Sequence, residues 1–257
     1  MSITDVYKSV RGAPASSVLE LSFFGHGWIQ GPVLVNSSNR SATPDLRDPE
    51  DKDGRALLDF SPSMGESTDL ADQLNMVKFI LSFDPKGVMR TWGCNFDIEL
   101  RIVQQTYNRI RQGGVTDSTV INFHFENWRD RYTVVDPGAT FLPNSPDQAD
   151  ISRTFGEVKK FLRIRISNSY AMQFALHSTG MTAFCALPGT ESDPEWTGYH
   201  LQKVCAKKDM PECPVGFGYL FNFYEKNLGI KVDDRGYAIL DQATTRNLAA
   251  AVAAGGP

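Results

Sequence analysis

No apolar run in this chain approaches the ~20 residues that a membrane-spanning helix needs, and no segment recurs at a fixed period. Positive charge is not in excess: the net charge is −4, which argues against a bulk nucleic-acid binder. Cysteine is scarce, and the four present, Cys94, Cys185, Cys205 and Cys213, are too scattered for a disulfide scaffold. Cys205 and Cys213 lie close enough in a loop-like stretch to pair in an oxidising space. There is no CxxC and no histidine–cysteine group at zinc spacing, so neither a redox motif nor a structural zinc is indicated. The first residues, Met1-Ser-Ile-Thr-Asp-Val-Tyr-Lys8, lack the charged-then-apolar build of a secretory signal. They predict a chain that stays in the cytoplasm or is exported whole, without a signal peptide, as an effector. Against these absences stand 257 residues, 41% of them hydrophobic and 22% charged, an ordinary globular balance with length enough for one α/β domain over 1–257.

Two strand ends carry the chemistry. Val18-Leu-Glu-Leu-Ser-Phe-Phe24 reads as a strand, near-continuous in apolar residues and so covered on both faces, and runs into Gly25-His26-Gly27. After an Asp84-Pro-Lys-Gly87 breaker, Val88-Met-Arg-Thr-Trp92 reads as a second strand that runs into Gly93-Cys94. Ile98 to Arg111 then reads as a helix, ended by Gly113-Gly114. A helix between the strands, Asp69 to Phe83, with Leu70, Leu74, Val77, Ile80 and Leu81 on one face, makes a β-α-β unit and a parallel sheet. Ligands gather at the carboxyl ends of such strands. A histidine and a cysteine placed there suit covalent catalysis: the imidazole takes the thiol proton, and a nearby helix N-terminus favours the thiolate. The N–H groups of Gly27 and Cys94 can then hold an oxyanion.

In these elements the chain resembles the caspase-like superfamily of cysteine peptidases, which includes caspases, clostripain, gingipains, legumain and separase. The likeness lies in a strand with His26-Gly27, a later strand with Gly93-Cys94, and a downstream helix and strand, Ser169 to Gly180 and Met181 to Ala186. That last pair is nearest to bacterial CHAT-like members. A long polar insertion and Trp92-Gly93, in place of a Gln-Ala pair, depart from the caspase pattern. The resemblance implies a three-layer domain with a central, mostly parallel sheet and helices on both faces. It implies a peptidase acting on a peptide or protein through a His26/Cys94 dyad, with no metal or organic cofactor. The same dyad would also serve amide transfer or deamidation, and a caspase-like binding or toxin module without catalysis has the same outline.

The remaining residues are read around this dyad. Residues 1–17 read as a polar arm. Trp28 and Trp92 are candidate walls of a substrate pocket, and Trp28 reads equally as a packing aromatic. Residues 36–69 form a polar, turn-rich insertion beside the His26 loop and a candidate lid. Within it Asp51, Asp53 and Gly54 match three places of an EF-hand loop, but Pro49 and Phe60 occupy the end-ligand places, so the acidic cluster reads as a solvated loop. His124 is a rival base. Phe123 and Phe125 flank it, so strand alternation turns it toward solvent. Phe155 to Arg165 reads as a helix, and Cys185 reads as core. The loop after the 181–187 strand offers Glu191 or Asp193 as a pocket charge. Tyr219 to Asn227 is an aromatic helix or strand. The tail 241–257 holds an alanine-rich helix with Asp241 as its N-cap.

Overall fold

The structure is a computed structural model that describes residues 3–24, 27–28, 31–32, 60, 77–92, 98–124, 150–178, 180–187, 223–233 and 237–255. Within them the chain is mixed α/β. Its largest sheet has four strands: β1 (Val18–Phe24), β4 (Phe83–Trp92), β7 (Thr182–Cys185) and β8 (Ala238–Leu240), side by side in that order. The first three are parallel neighbours, and β8 adds antiparallel to β7. The sheet is therefore mostly parallel, as expected. None of the described helices is long and apolar enough to cross a membrane. The chain divides into two compact units, Met1–Cys94 with Ser167–Ala186 and Ala238–Arg246, and Asn95–Ile166 with Leu187–Tyr237 and Asn247–Pro257.

The first unit is built on the large sheet. Alternation sends Phe23, Met89, Ala183, Cys185, Ala238 and Leu240 into the core. The helix α4 (Tyr170–His177) packs against β4, β7 and β8. It starts at Ser169, whose hydroxyl accepts from Met172 N at 3.2 Å, a serine N-cap. Tyr170, Met172 and Phe174 are buried. The aromatic rings form an edge-to-face cluster: Phe60 to Tyr170 at 4.9 Å, Phe83 to Phe174 at 5.4 Å and Phe79 to Phe83 at 5.3 Å. Phe60 is fully buried; otherwise the 36–69 insertion expected to act as a lid, with its acidic cluster, lies outside the described residues.

The structure corrects four local expectations. Residues 3–11 are not an arm but a helix, α1 (Ile3–Arg11). Ile3, Tyr7 and Val10 recur at helical spacing and are buried, and Tyr7 joins Tyr170 hydroxyl to hydroxyl at 2.6 Å. β1 is not covered on both faces: Leu19 is 68% exposed on one, and the Glu20 side chain is 49% exposed on the other. The 84–87 breaker does not end a strand. It lies within β4 as a bulge, because Val18 to Glu20 is two steps on β1 while Phe83 to Val88 is five on β4. Asp84 Oδ1 accepts from Lys86 N at 2.7 Å, and a Cβ on Gly87 would meet Asp84 O at 2.8 Å and Val18 O at 3.0 Å, so the bulge requires glycine. Lastly, residues 77–81 are helical, but Val77 and Leu81 face outward at 52% and 59% exposure while Phe79 is buried, and Phe83 begins β4. The large aromatic wins the inward face because it buries more area.

The second unit contains α2 (Ile98–Arg111), the paired strands β5 (Val120–His124) and β6 (Asp150–Thr154), and all but the last residue of α3 (Phe155–Ser167). α2 has the expected bounds and ends before Gly113 and Gly114, at φ 81° and 66°. Ile102 and Val103 are buried. β5 and β6 pair antiparallel in register, with Ile121, Phe123 and Ile151 inward. α3 begins with a capping box: Glu157 N donates to Thr154 Oγ1 at 3.2 Å, and Thr154 N donates to Glu157 Oε2 at 2.6 Å. Hydrogen bonds from the Thr154 backbone and side chain hold the Glu157 carboxyl below its ordinary value. Part of the 219–227 aromatic stretch is a π-helical turn, Tyr224–Leu228, closed by Gly229. The tail helix α5 (Gln242–Ala253), whose residues to Arg246 belong to the first unit, is capped by Asp241, whose Oδ1 accepts from Thr244 N at 2.8 Å.

Candidate functional site

The sheet edge where β1 and β4 end is built by register. From Glu20 opposite Val88 onward the two strands run in step, and the last pair is Phe24 opposite Trp92. His26 is the second residue after Phe24, and Cys94 is the second after Trp92. His26, Gly93 and Cys94 themselves lie outside the described residues, as do Glu191 and Asp193. Gly27 and Trp28 form β2 (Gly27–Trp28), which pairs antiparallel with β3 (Gly31–Pro32), Gly27 opposite Pro32 and Trp28 opposite Gly31. Trp92 is the final residue of β4.

The sheet face away from the buried residues carries a polar cluster that the sequence reading passed over. Arg90 Nε lies 3.3 Å from Glu20 Oε1, and Ser22 Oγ donates to the same oxygen at 2.5 Å. The Arg90 guanidinium also lies over the Phe184 ring, 4.1 Å from its centroid. The signal was in the pattern: Glu20 and Ser22 are the polar residues of a strand read as near-continuous in apolar ones, and their spacing of two marks one face.

The rival base and the core cysteine are placed directly. Cys185 is buried, and desolvation pushes its thiol from 9.0 up to about 12, so it is a poor nucleophile at neutral pH. His124 is exposed on β5, opposite Asp150 in register, with Nδ1 2.7 Å from Asp150 Oδ1. Gln105 holds the His124 backbone at both ends, accepting from N at 2.9 Å and donating to O at 3.1 Å. Among the described residues, the side chain bonded to that imidazole is a carboxylate and not a nucleophile. Cys185 as core and His124 toward solvent are both as expected.

Among the described residues no three histidine, cysteine, aspartate or glutamate side chains come together as a metal site. Comparison with protein-family models, curated proteins and solved structures finds no match to the chain.

Proposed function

We propose that the chain is a cysteine-dependent hydrolase that cleaves a peptide or amide bond, with Cys94 as nucleophile and His26 as base. The observation that carries this reading is the pairing of Phe24 with Trp92 at the ends of adjacent parallel strands. Neighbouring strands are ~4.8 Å apart. Two residues of chain span at most ~7 Å. Both chain segments therefore leave the sheet from one edge, one strand apart, which is what a His–Cys dyad requires.

The chemistry is that of the residue types. The imidazole of His26 takes the Cys94 proton, and the thiolate attacks the carbonyl carbon. The N–H groups of Gly27 and Cys94 stabilise the oxyanion as the carbonyl π bond opens. The C–N bond then breaks, His26 returns its proton to the leaving amine, and a thioester remains. Water, deprotonated by His26, attacks the thioester, releases the acid and restores the thiol. No step calls for a metal or an organic cofactor. Trp28 and Trp92 flank this edge in sequence and are assigned to substrate contact. The caspase-like three-layer arrangement, one domain with helices on both faces of the sheet, belongs to the same proposal.

Iodoacetamide labelling below neutral pH tests it, read residue by residue by mass spectrometry. Cys94 should label while Cys185 stays protected, because only a thiol with a depressed pKa reacts there. A Cys94 that labels no faster than an ordinary thiol would remove the dyad, and cleavage of a peptide library would then not be expected.

A further inference from the structure

We propose that Arg90, with Glu20, is a positioning residue that clamps the β1–β4 register and so sets the two strand ends opposite one another. The consequence for reactivity rests on the His26/Cys94 reading, while the clamp itself lies in described residues.

The need for a clamp comes from the bulge. Upstream of it Val18 pairs with Phe83, and the first pair after it is Glu20 with Val88. The excess residues of β4 lie between those pairs, so the pairs beyond the bulge are not pinned by the pair before it. A slip of one residue would turn Arg90 toward the face that holds Phe23 and Met89, both buried. Burying that charge without its partner forbids the slip. A slip of two residues is different. It keeps every side chain on its own face, and the bulge would absorb it by growing or shrinking. It would also shift one strand end by ~6.6 Å relative to its neighbour, at ~3.3 Å per residue.

The contacts that distinguish the two-residue registers centre on Arg90. Glu20 is the first residue after the bulge, and it reaches diagonally to Arg90 at 3.3 Å while Ser22, directly opposite Arg90, donates to the same carboxylate at 2.5 Å. On the other side Arg90 is in register with Phe184 of β7 and stacks on its ring at 4.1 Å. One guanidinium thus ties three parallel strands, two residues before the end of β4. A half-exposed ion pair adds little to stability by itself. Selecting between registers needs only a difference between alternatives: a two-residue slip that carries Glu20 away from Arg90 parts the ion pair, and a slip of β4 along β7 in either direction parts the stack on Phe184.

The test is the rate and pH profile of Cys94 alkylation by iodoacetamide in the full chain, with Cys185 read in the same digest. Arg90→Met should slow Cys94 labelling by ~10- to 100-fold, the loss that an ångström-scale misplacement of reacting groups brings. The midpoint of its pH profile should move up toward that of an ordinary thiol. Arg90→Lys, which keeps the charge and not the planar stack, should fall between. Cys185 should stay protected throughout. If Arg90→Met labels like the wild type, the clamp is wrong and the dyad stands. If the wild-type Cys94 is itself unreactive below neutral pH, the dyad is wrong and the clamp has no catalytic role. Labelling of Cys185 in Arg90→Met would mean general loosening and overturn the positioning role. Equal rates in the Met and Lys variants would show that the charge pair plays no part, and would overturn the clamp. Should Arg90→Met fail to fold, Glu20→Gln, at a site 49% exposed, is read in the same way.

Discussion

Cys185 shows what a single buried group does to the pH dependence of the fold. Its thiol titrates at about 12 in the folded chain against an ordinary 9.0, because the core favours the neutral form. A raised folded pKa means that the folded state holds the proton more tightly. The stability tied to this group is therefore complete below pH 9 and is lost as pH climbs from 9 toward 12, where the unfolded thiol is already ionised. Urea unfolding at about pH 8 and about pH 10 should show that loss in the wild type and less of it in Cys185→Ala. The same substitution should cost about 1–2 kcal/mol near neutral pH, from lost packing in the core. An equal fall with pH in both proteins would assign the alkaline sensitivity elsewhere. At this scale the sequence was informative wherever the neighbours of a residue decide its environment. Cys185 lies in an apolar run, and His124 alternates with Phe123, so core and solvent were legible for both. Glu20 and Ser22 marked a polar face, but the partnership of Glu20 with Arg90 was not legible, because it spans 70 residues of chain (90 − 20) and depends on a register that no local pattern states.

Elements were legible where their signals are local, and lost where pairing supplies the stability. The spacing of apolar residues in 98–111, the glycines after it and the Asp241 cap all act within a few residues, and all three readings hold. β6 was missed because Asp150-Ile-Ser-Arg-Thr154 buries only Ile151 fully and is strand by virtue of its bonds to β5. β8 has three residues and exists through β7. The bulge in β4 was mistaken for a break because proline and glycine punctuate both. One missed signal was plain, since Thr154-Phe-Gly-Glu157 has the form of a capping box. Thr154→Ala should cost about 1 kcal/mol, the usual worth of an N-cap, measured as a shift in urea midpoint. The Glu157 carboxyl, lowered by its bonds to Thr154, adds a pH signature. Its contribution is present above its ordinary value of 4.5 and fades as pH falls through the lowered one. Thr154→Ala should therefore lose less stability on acidification than the wild type. A Thr154→Ala protein as stable as wild type would mean that α3 is held by its buried face alone.

At the scale of the molecule, the order strand, helix, strand, with a parallel sheet between, was legible because hydrophobic runs and breakers succeed one another along the chain. The division into two units was not, since each unit is assembled from three separated stretches of chain. The activity proposed for the chain rests on the paired ends of β1 and β4, and point variants test it. Cys94→Ala should abolish turnover of any substrate found by library screening and leave the melting temperature near that of the wild type, since a small residue replaces a thiol beyond the strand end. His26→Ala should lose most of the rate, because general base catalysis supplies ~10²–10⁴-fold, and a loss under about tenfold would be too small for that role. His124→Ala is the matched control. It removes an imidazole, already bonded to a carboxylate, from an exposed strand position. If proximity to the β1–β4 edge is what makes a histidine a base here, His124→Ala should leave the rate within about threefold, far from the range of a lost general base. A reversal, with His124→Ala inactive and His26→Ala active, would move the chemistry to the β5–β6 pair and its Asp150. Full turnover in Cys94→Ala would end the thiol mechanism whatever the histidines do.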